Sequence, residues 1–350
     1  MNNSGRVLLI YNWHCEDSHW IPQKFRERNY QVSIIDVPQY EEHNRGARNY
    51  RIHNFLTCMH LAKKATKMAK DEDVIISLTS TPGICCALYS LASHSKVNIL
   101  ALNMLAHWGS ANKLVEKGRD LVYRLAFKYN SLWTTTNSQA DLVQYSQKLG
   151  IPRNRISWLP DAIEDIKEGS HGTKKKSSGE YVFSGGVSER DWDAIIYCAQ
   201  KRPDIIFVIA ASKKYWSEQY PNLKNVHVYF DISSQKFNQL LEGSKMVLLP
   251  LKSSGTAGLM VLFEALRNTQ IFIATDTAAI RNFVEPGLAS QVLYPMGDYD
   301  ALLKRLEKWW KAEMPERNKT VKNLIDYIYK NYSEEEYMNK LEKILDQMKK

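Results

Sequence analysis

The stretch from residue 246 to 284, MVLLPLKSSGTAGLMVLFEALRNTQIFIATDTAAIRNFV, decides how the chain is read. Met246 to Leu249 is a short apolar run that stops at Pro250. A small-residue loop follows, Lys252-Ser253-Ser254-Gly255-Thr256-Ala257-Gly258, and then a helical run from Leu259 to Arg267 with Glu264 inside it. A second apolar run, Ile271 to Ala274, ends at Thr275-Asp276. Strand, glycine loop, helix, strand predicts a parallel βαβ unit, whose loop lies at the carboxyl end of the sheet, where ligands bind. Free amides at the start of a helix, together with the helix dipole, favour an anion, and glycine lets backbone approach it closely. A carboxylate one or two turns into that helix can accept from ribose hydroxyls. The pattern fits a nucleoside diphosphate, and fits equally an ordinary crossover with a buried polar loop.

Taken with Leu262-Phe263-Glu264-Ala265-Leu266 and Ile273-Ala274-Thr275-Asp276, the stretch resembles the donor-binding core of GT-B glycosyltransferases, in particular the family-four retaining enzymes (glycosyltransferase group 1). In that resemblance Glu264 falls on the second glutamate of a pair. The first belongs eight positions earlier, where this chain has Thr256.

Composition agrees with a globular protein. With 350 residues there is room for two cores, and the 44% hydrophobic content and mean hydropathy of −0.41 are those of a soluble chain. No apolar run approaches a membrane span and no secretory leader is read, so the expectation is a cytoplasmic protein. Five cysteines without metal spacing fit a reducing compartment, and Cys85-Cys86 reads as core. The formal charge of +9 suits an anionic partner: a sugar nucleotide, a pyrophosphate-linked lipid or the inner face of a membrane. The basic residues are dispersed and no nucleic-acid module is present, so nucleic acid is not expected.

The first half reads as alternating strands and helices. Arg6 to Tyr11 is a buried first strand, and its loop, residues 12–20, lacks glycine and so is no dinucleotide fingerprint. This loop reads either as an acceptor-side loop, with His14, Glu16 and Asp17 as candidates for sugar contact or proton transfer, or as a surface turn. Ile52 to Lys70 reads as a helix with a solvated basic face; contact with a membrane or lipid phosphate is the alternative. Strands follow at 73–78 and 97–102. By resemblance the loop after the second carries sugar-contacting residues, with His107 taking a donor hydroxyl or phosphate. Ala111 to Tyr129 is amphipathic and is expected to pack on the sheet with its basic face in water, or else to lie on a membrane interface. Ser138, Leu149-Gly150-Ile151-Pro152 and Ile156 to Ile163 resemble the family's close of the N-terminal domain, with Asp161-Ala162 in place of Asn-Gly.

The expected domains are 1–165, acceptor side; a linker, 166–180; and 181–332, donor side, with the helix at 333–350 packing back on the first. The whole is an α/β, GT-B arrangement of two Rossmann-like doubly wound parallel-sheet domains facing across a cleft. In the donor domain a strand runs into Gly185-Gly186. Where the family has arginine and a later lysine, this chain has Gly186 and Asp191, so Arg190 becomes the cation for the diphosphate. Lys213 or Lys214 supplies a second charge. The backbone of Ser254, Gly255, Thr256, Ala257, Gly258 and Leu259 lies beside them, and Glu264 takes the ribose. The catalytic set implied is Arg190, His107 and Asp17. No metal ligand set and no cofactor are expected. The expected reaction transfers a sugar from a nucleoside diphosphate sugar to a hydroxyl of a sugar or lipid-linked glycan, with retention, in bacterial polysaccharide or glycoconjugate synthesis. The loss of the first glutamate and of Gly-Arg leaves a second reading, a non-catalytic binding or chaperone subunit of a glycosylation complex.

Overall fold

The structure is a computed structural model and describes all residues except 1–4, 17–18, 39–49, 105, 107–112, 164–178, 188, 254–256 and 350. The chain forms two compact units, Met1–Asp161 with Glu334–Lys350, and Ala162–Ser333. The expected linker lies almost wholly outside the described residues.

Unit 1 begins with β1 (Arg6–Ile10), α1 (Trp20–Glu27), β2 (Gln31–Ile35), α2 (Tyr50–Met68), β3 (Val74–Ser77) and α3 (Ser80–Ser93). It continues with β4 (Asn98–Ala101), α4 (Lys113–Ala126), β5 (Leu132–Thr136), α5 (Gln139–Leu149) and β6 (Ile156–Trp158). Its six strands are parallel, in the order β2-β1-β3-β4-β5-β6. Val7 to Ile10 are buried along their whole length because helices cover both faces of a parallel sheet, which is why the strand reads as unbroken apolar sequence. On one face Leu61, Ala62 and Ala65 of α2, Cys85 and Cys86 of α3, and Tyr123 and Ala126 of α4 join one core with the strands. All five cysteines are buried thiols, and burial pushes those of Cys58, Cys85 and Cys198 up to about 12.

Unit 2 runs β7 (Tyr181–Gly185), α6 (Trp192–Lys201), β8 (Ile206–Ala211), β9 (Val226–Phe230), α7 (Ser234–Glu242), β10 (Met246–Leu249) and α8 (Leu259–Arg267). Then come β11 (Ile271–Thr275), α9 (Ala278–Arg281), α10 (Ala289–Val292), β12 (Leu293–Tyr294), α11 (Tyr299–Lys311) and α12 (Met314–Tyr332). Its sheet is again parallel, in the order β12-β11-β10-β7-β8-β9. The expected βαβ unit is present as β10-α8-β11, with Met246 opposite Ile271 and Leu249 opposite Ala274. The last helix, α13 (Glu334–Met348), belongs to unit 1. There Tyr337 meets Trp20 edge to face at 5.3 Å, and Arg28 after α1 donates to Glu342 (2.9 Å), Asn339 (3.1 Å) and Glu335.

Two differences from the sequence reading stand out. The helix at 314–332 was not anticipated. And α4 does not turn its leucines to the sheet: Leu114, Leu121 and Leu125 face water, while Tyr123 and Ala126 make the buried side. The expected packing on the sheet with only a basic face exposed is thus corrected.

Candidate functional site

In unit 2 the first strand, β7, lies at the centre, between β8 and β10. The chain winds one way from β7 through β8 to β9, then crosses back to β10, so the topological switch point falls between β7 and β10. In open α/β sheets ligands bind outside the carboxyl ends of the strands at that point. The two loops leaving it are Gly185 to Asp191 and Pro250 to Gly258, the same two glycine loops singled out in the sequence. β7 and β10 pair only at Met246 with Val182 and Val247 with Phe183, so the strands part before these loops begin.

The loops are stitched to one another just beyond. Arg190 and Leu251 form an antiparallel bridge, the Asp191 amide donates to the Pro250 carbonyl (3.0 Å), and the Lys252 amide donates to the Glu189 carbonyl (2.9 Å). The Leu251 amide donates to the hydroxyl of Thr275 (2.7 Å), which itself donates to the Tyr294 hydroxyl (3.0 Å). Both hydroxyls are buried, so this chain fixes the height of the β10 loop against β11 and β12.

Arg190 sits inside this frame. Only 8% of it is exposed, and its Nε donates to the Gly185 carbonyl at 2.8 Å. Burial lowers its pKa to about 10, which still leaves a full positive charge at neutral pH, in surroundings of low dielectric. Gly186 has φ of +131°, and a Cβ there would lie 2.2 Å from Arg190 Nη2 and 2.6 Å from its Cζ. Glycine at 186 is therefore what admits the guanidinium of Arg190 over the turn.

The helix starts on the two sides differ. α6 is capped from within, since Asp191 accepts from the Ala194 amide (3.4 Å) while the Tyr299 hydroxyl donates to both its oxygens (3.2 Å). Burial raises the Asp191 carboxyl above the usual carboxylate range. α8 starts at Gly258, with φ of +91° and no side-chain cap. An anion at the switch point thus meets, among the described residues, a helix start without a side-chain cap on the α8 side and a carboxylate on the α6 side. The Gly185-Gly186 turn offers an anion Arg190, and α6 does not add its own N-terminus as the sequence had suggested.

The remaining expected residues are distributed as follows. Ala257, Gly258 and Leu259 lead into α8, while Ser254, Gly255 and Thr256 lie outside the described residues. Glu264 is half-buried on α8, where its carboxylate accepts from Arg267 (3.2 Å) and Asn268 (3.2 Å), one turn further along. Lys213 and Lys214 are exposed on a 3-10 turn after β8; the Lys213 amide donates to Asp231 (3.3 Å), and Lys214 lies over the Tyr215 ring at 5.1 Å. In unit 1 the switch point falls between β1 and β3, where the Thr79 hydroxyl donates to Asn12 (3.0 Å) and Asn12 donates to Asn54 (3.0 Å). His14 lies 3.2 Å from Asp36, and Glu16 is exposed. Asp17 and His107 lie outside the described residues.

The sequence reading missed Lys252 as a charge with a fixed place. Its ammonium is 2.8 Å from Asp193 in the first turn of α6, which holds that carboxyl below its ordinary range. It stood in the quoted loop, but its partner is far off in sequence, and no local spacing signals the pair. Among the described residues no group of three or more His, Cys, Asp or Glu side chains is placed to hold a metal. No helix among them is long and apolar enough to cross a membrane.

Two parallel six-stranded Rossmann-like units, each with its switch point at the carboxyl edge, define the GT-B class. Known proteins agree. Residues 193–331 match the family model described as glycosyl transferases group 1. Among solved structures, the chain resembles a glycosyltransferase from Rickettsia africae ESF-5 at 12% identity, covering 99% of this chain and 98% of that one, with TM-score 0.64. It also resembles an α,α-trehalose-phosphate synthase (UDP-forming) from Burkholderia vietnamiensis at 10% identity, 99% of each chain and TM-score 0.68. A third is HepE from Anabaena in complex with UDP, at 11% identity, 97% and 99% coverage and TM-score 0.61. No curated protein sequence matches the chain.

Proposed function

We propose that this protein transfers a sugar from a nucleoside diphosphate sugar to a hydroxyl acceptor. The observation that carries the reading is the buried guanidinium of Arg190 at the switch point of unit 2, whose other loop leads into α8, a helix start without a side-chain cap among the described residues. Departure of a nucleoside diphosphate places negative charge on its phosphates, and preorganised donors in a site shielded from water stabilise that charge. In this reading Arg190 and the amides leading into α8 take the diphosphate, without a metal ion or other cofactor. Lys213 or Lys214 adds a second cation. Glu264 turns from Arg267 to accept from the ribose. His107 and Asp17 are the residues assigned to the sugar and the acceptor by the family resemblance. Retention of configuration, and an acceptor belonging to a polysaccharide or glycoconjugate, come with the family reading.

One observation favours a second reading, a nucleotide-binding subunit without catalysis. Thr256 stands where the family places its first glutamate, and the carboxylate of Glu264 is engaged within its own helix. The test is a thermal-shift panel of UDP, GDP, ADP and CMP with matching sugar nucleotides. UDP comes first, because HepE holds it and the Burkholderia synthase forms it. A ligand that binds only the folded state raises the melting temperature. Stabilisation by one nucleoside diphosphate, lost in Arg190→Ala, together with slow hydrolysis of its sugar nucleotide, is expected of the transferase. Stabilisation without hydrolysis or transfer selects the second reading, and no shift with any nucleotide overturns both.

A further inference from the structure

We infer that a groove at the amino edge of the unit 1 sheet is a site for a neutral, hydroxyl-rich sugar, and is part of neither switch point. The groove measures about 440 Å³ and lies where β4, β5 and β6 begin, with the end of α13 on one side. That volume falls in the range of small-molecule sites, roughly 300–1,000 Å³. The switch point of unit 1 is at the carboxyl ends of β1 and β3, so a strand length of about 13–17 Å separates the two edges.

Strand alternation builds it. Val97, Ile99 and Leu132 join the core shared with α2, α3 and α4, so Asn98 and Trp133 point to the opposite face, toward α13. Trp133, Pro152 and Met348 make its apolar part; Met348 is buried and the other two are half-buried. Around them stand four side-chain amides, Asn98, Asn130, Asn154 and Gln347. Among the described residues none of these amides, nor the Trp133 indole N–H, is hydrogen-bonded to the protein.

The lining names the ligand class. A side-chain amide both donates and accepts, which matches neighbouring hydroxyls that do the same. An indole face beside the amides receives the C–H face of a pyranose ring. Charge argues against an ionic ligand. Among the described residues Arg155 is the one charged side chain in the lining, and no carboxylate is there to hold a cation. The Arg155 guanidinium is itself engaged: it donates to the carbonyls of Phe127 (3.2 Å), Tyr129 (2.9 Å) and Asn130 (3.1 Å). A phosphate would have to draw it away from all three. The same bonds tie the turn before β5 to the turn before β6, so the groove is formed before a ligand arrives and little ordering is needed on binding. Sugar binding here requires neither nucleotide nor transfer, and so goes beyond the transferase reading without resting on it.

The probes are an array of neutral mono- to hexasaccharides, with the tightest binder then titrated by saturation-transfer NMR while hydrogen exchange is read on the protein. The expected result is binding that protects residues 128–133 and 152–156, leaves 11–15 and 78–82 unprotected, and persists in excess inorganic phosphate. Trp133→Ala should weaken it ~10-fold or more. Because Trp133 lies within β5, Asn154→Ala/Gln347→Ala is the second variant. Both residues are exposed, so the melting temperature should hold while binding falls ~5–30-fold, as loss of two hydrogen bonds implies. No binder on the array, protection confined to the switch-point loops, unchanged binding by the double variant, or displacement by phosphate would each overturn the inference. UDP binding is measured alongside and should be the same in the parent and the double variant, so failure here leaves the transferase reading intact.

Discussion

Gly186→Ala tests the geometry of the switch point most directly. The added methyl would lie 2.2–2.6 Å from the guanidinium of Arg190, at a backbone φ of +131° that L-residues rarely adopt. Either the backbone takes up the strain, at ~1–3 kcal/mol, or Arg190 leaves the Gly185 carbonyl and gives up a charged hydrogen bond of ~1.5–3 kcal/mol. The chain takes the cheaper route, so a net cost of ~1–3 kcal/mol is expected, or a melting temperature lower by about 2–12 °C. Displacing the guanidinium should also weaken nucleoside diphosphate binding by ~10–100-fold, the worth of one charge-assisted phosphate contact. Differential scanning fluorimetry and isothermal titration with UDP read both numbers. The double variant Gly186→Ala/Arg190→Ala removes the overlap, so its stability should exceed the sum of the two single effects while binding stays lost. A single variant that melts and binds like the parent would refute the claim that glycine at 186 makes room for Arg190.

Three further outcomes follow from the same site and from unit 1. Thr275→Val leaves the Leu251 amide and the Tyr294 hydroxyl without their buried partner, so a loss of ~2–4 kcal/mol in denaturant melts is expected, with weaker nucleotide binding as the β10 loop loosens. Asp193 is held below the usual carboxylate range by Lys252; its contribution is present above its unfolded pKa and lost as pH falls through the folded value. Lys252→Met should therefore flatten the acid side of the melting-temperature profile slightly, the pair being about half exposed, and leave the neutral-pH value within ~1 kcal/mol. Arg28→Ala removes the fork that ties α13 to α1, and should raise amide exchange in residues 334–348 well before the sheet of unit 1 opens.

The parallel sheets were legible because their strands are short, apolar throughout and separated by helical periods, as in Val7 to Ile10 and Met246 to Leu249. The switch point of unit 2 was legible because both of its loops contain glycines that the backbone uses at positive φ, Gly186 and Gly258. Three things were not. The orientation of α4 was hidden because periodicity shows that a helix has an apolar stripe, not whether that stripe faces protein or solvent; the buried side here is only Tyr123 and Ala126. α12 was missed because its first turns are polar and its buried residues, among them Val321, Leu324 and Ile328, begin only at Thr320. The Lys252 to Asp193 pair and the Asp191 cap held by Tyr299 join segments separated by the whole β8-β9 half of the sheet, and only the fold brings them together.

The division of unit 1 also sets a timetable. Its last helix, α13, is synthesised only after all of Ala162–Ser333, so the surface around Trp20 and Arg28 waits for its cover while unit 2 is made. At common elongation rates that delay is roughly 10–30 s, far longer than a small sheet takes to collapse. During it, unit 1 on the ribosome is an open sandwich with one helix missing and an aromatic face uncovered. A lesion near residue 340 would then be felt first by the earliest-made part of the chain, and a nascent-chain holdase is most needed over α1, not over the segment emerging at the time.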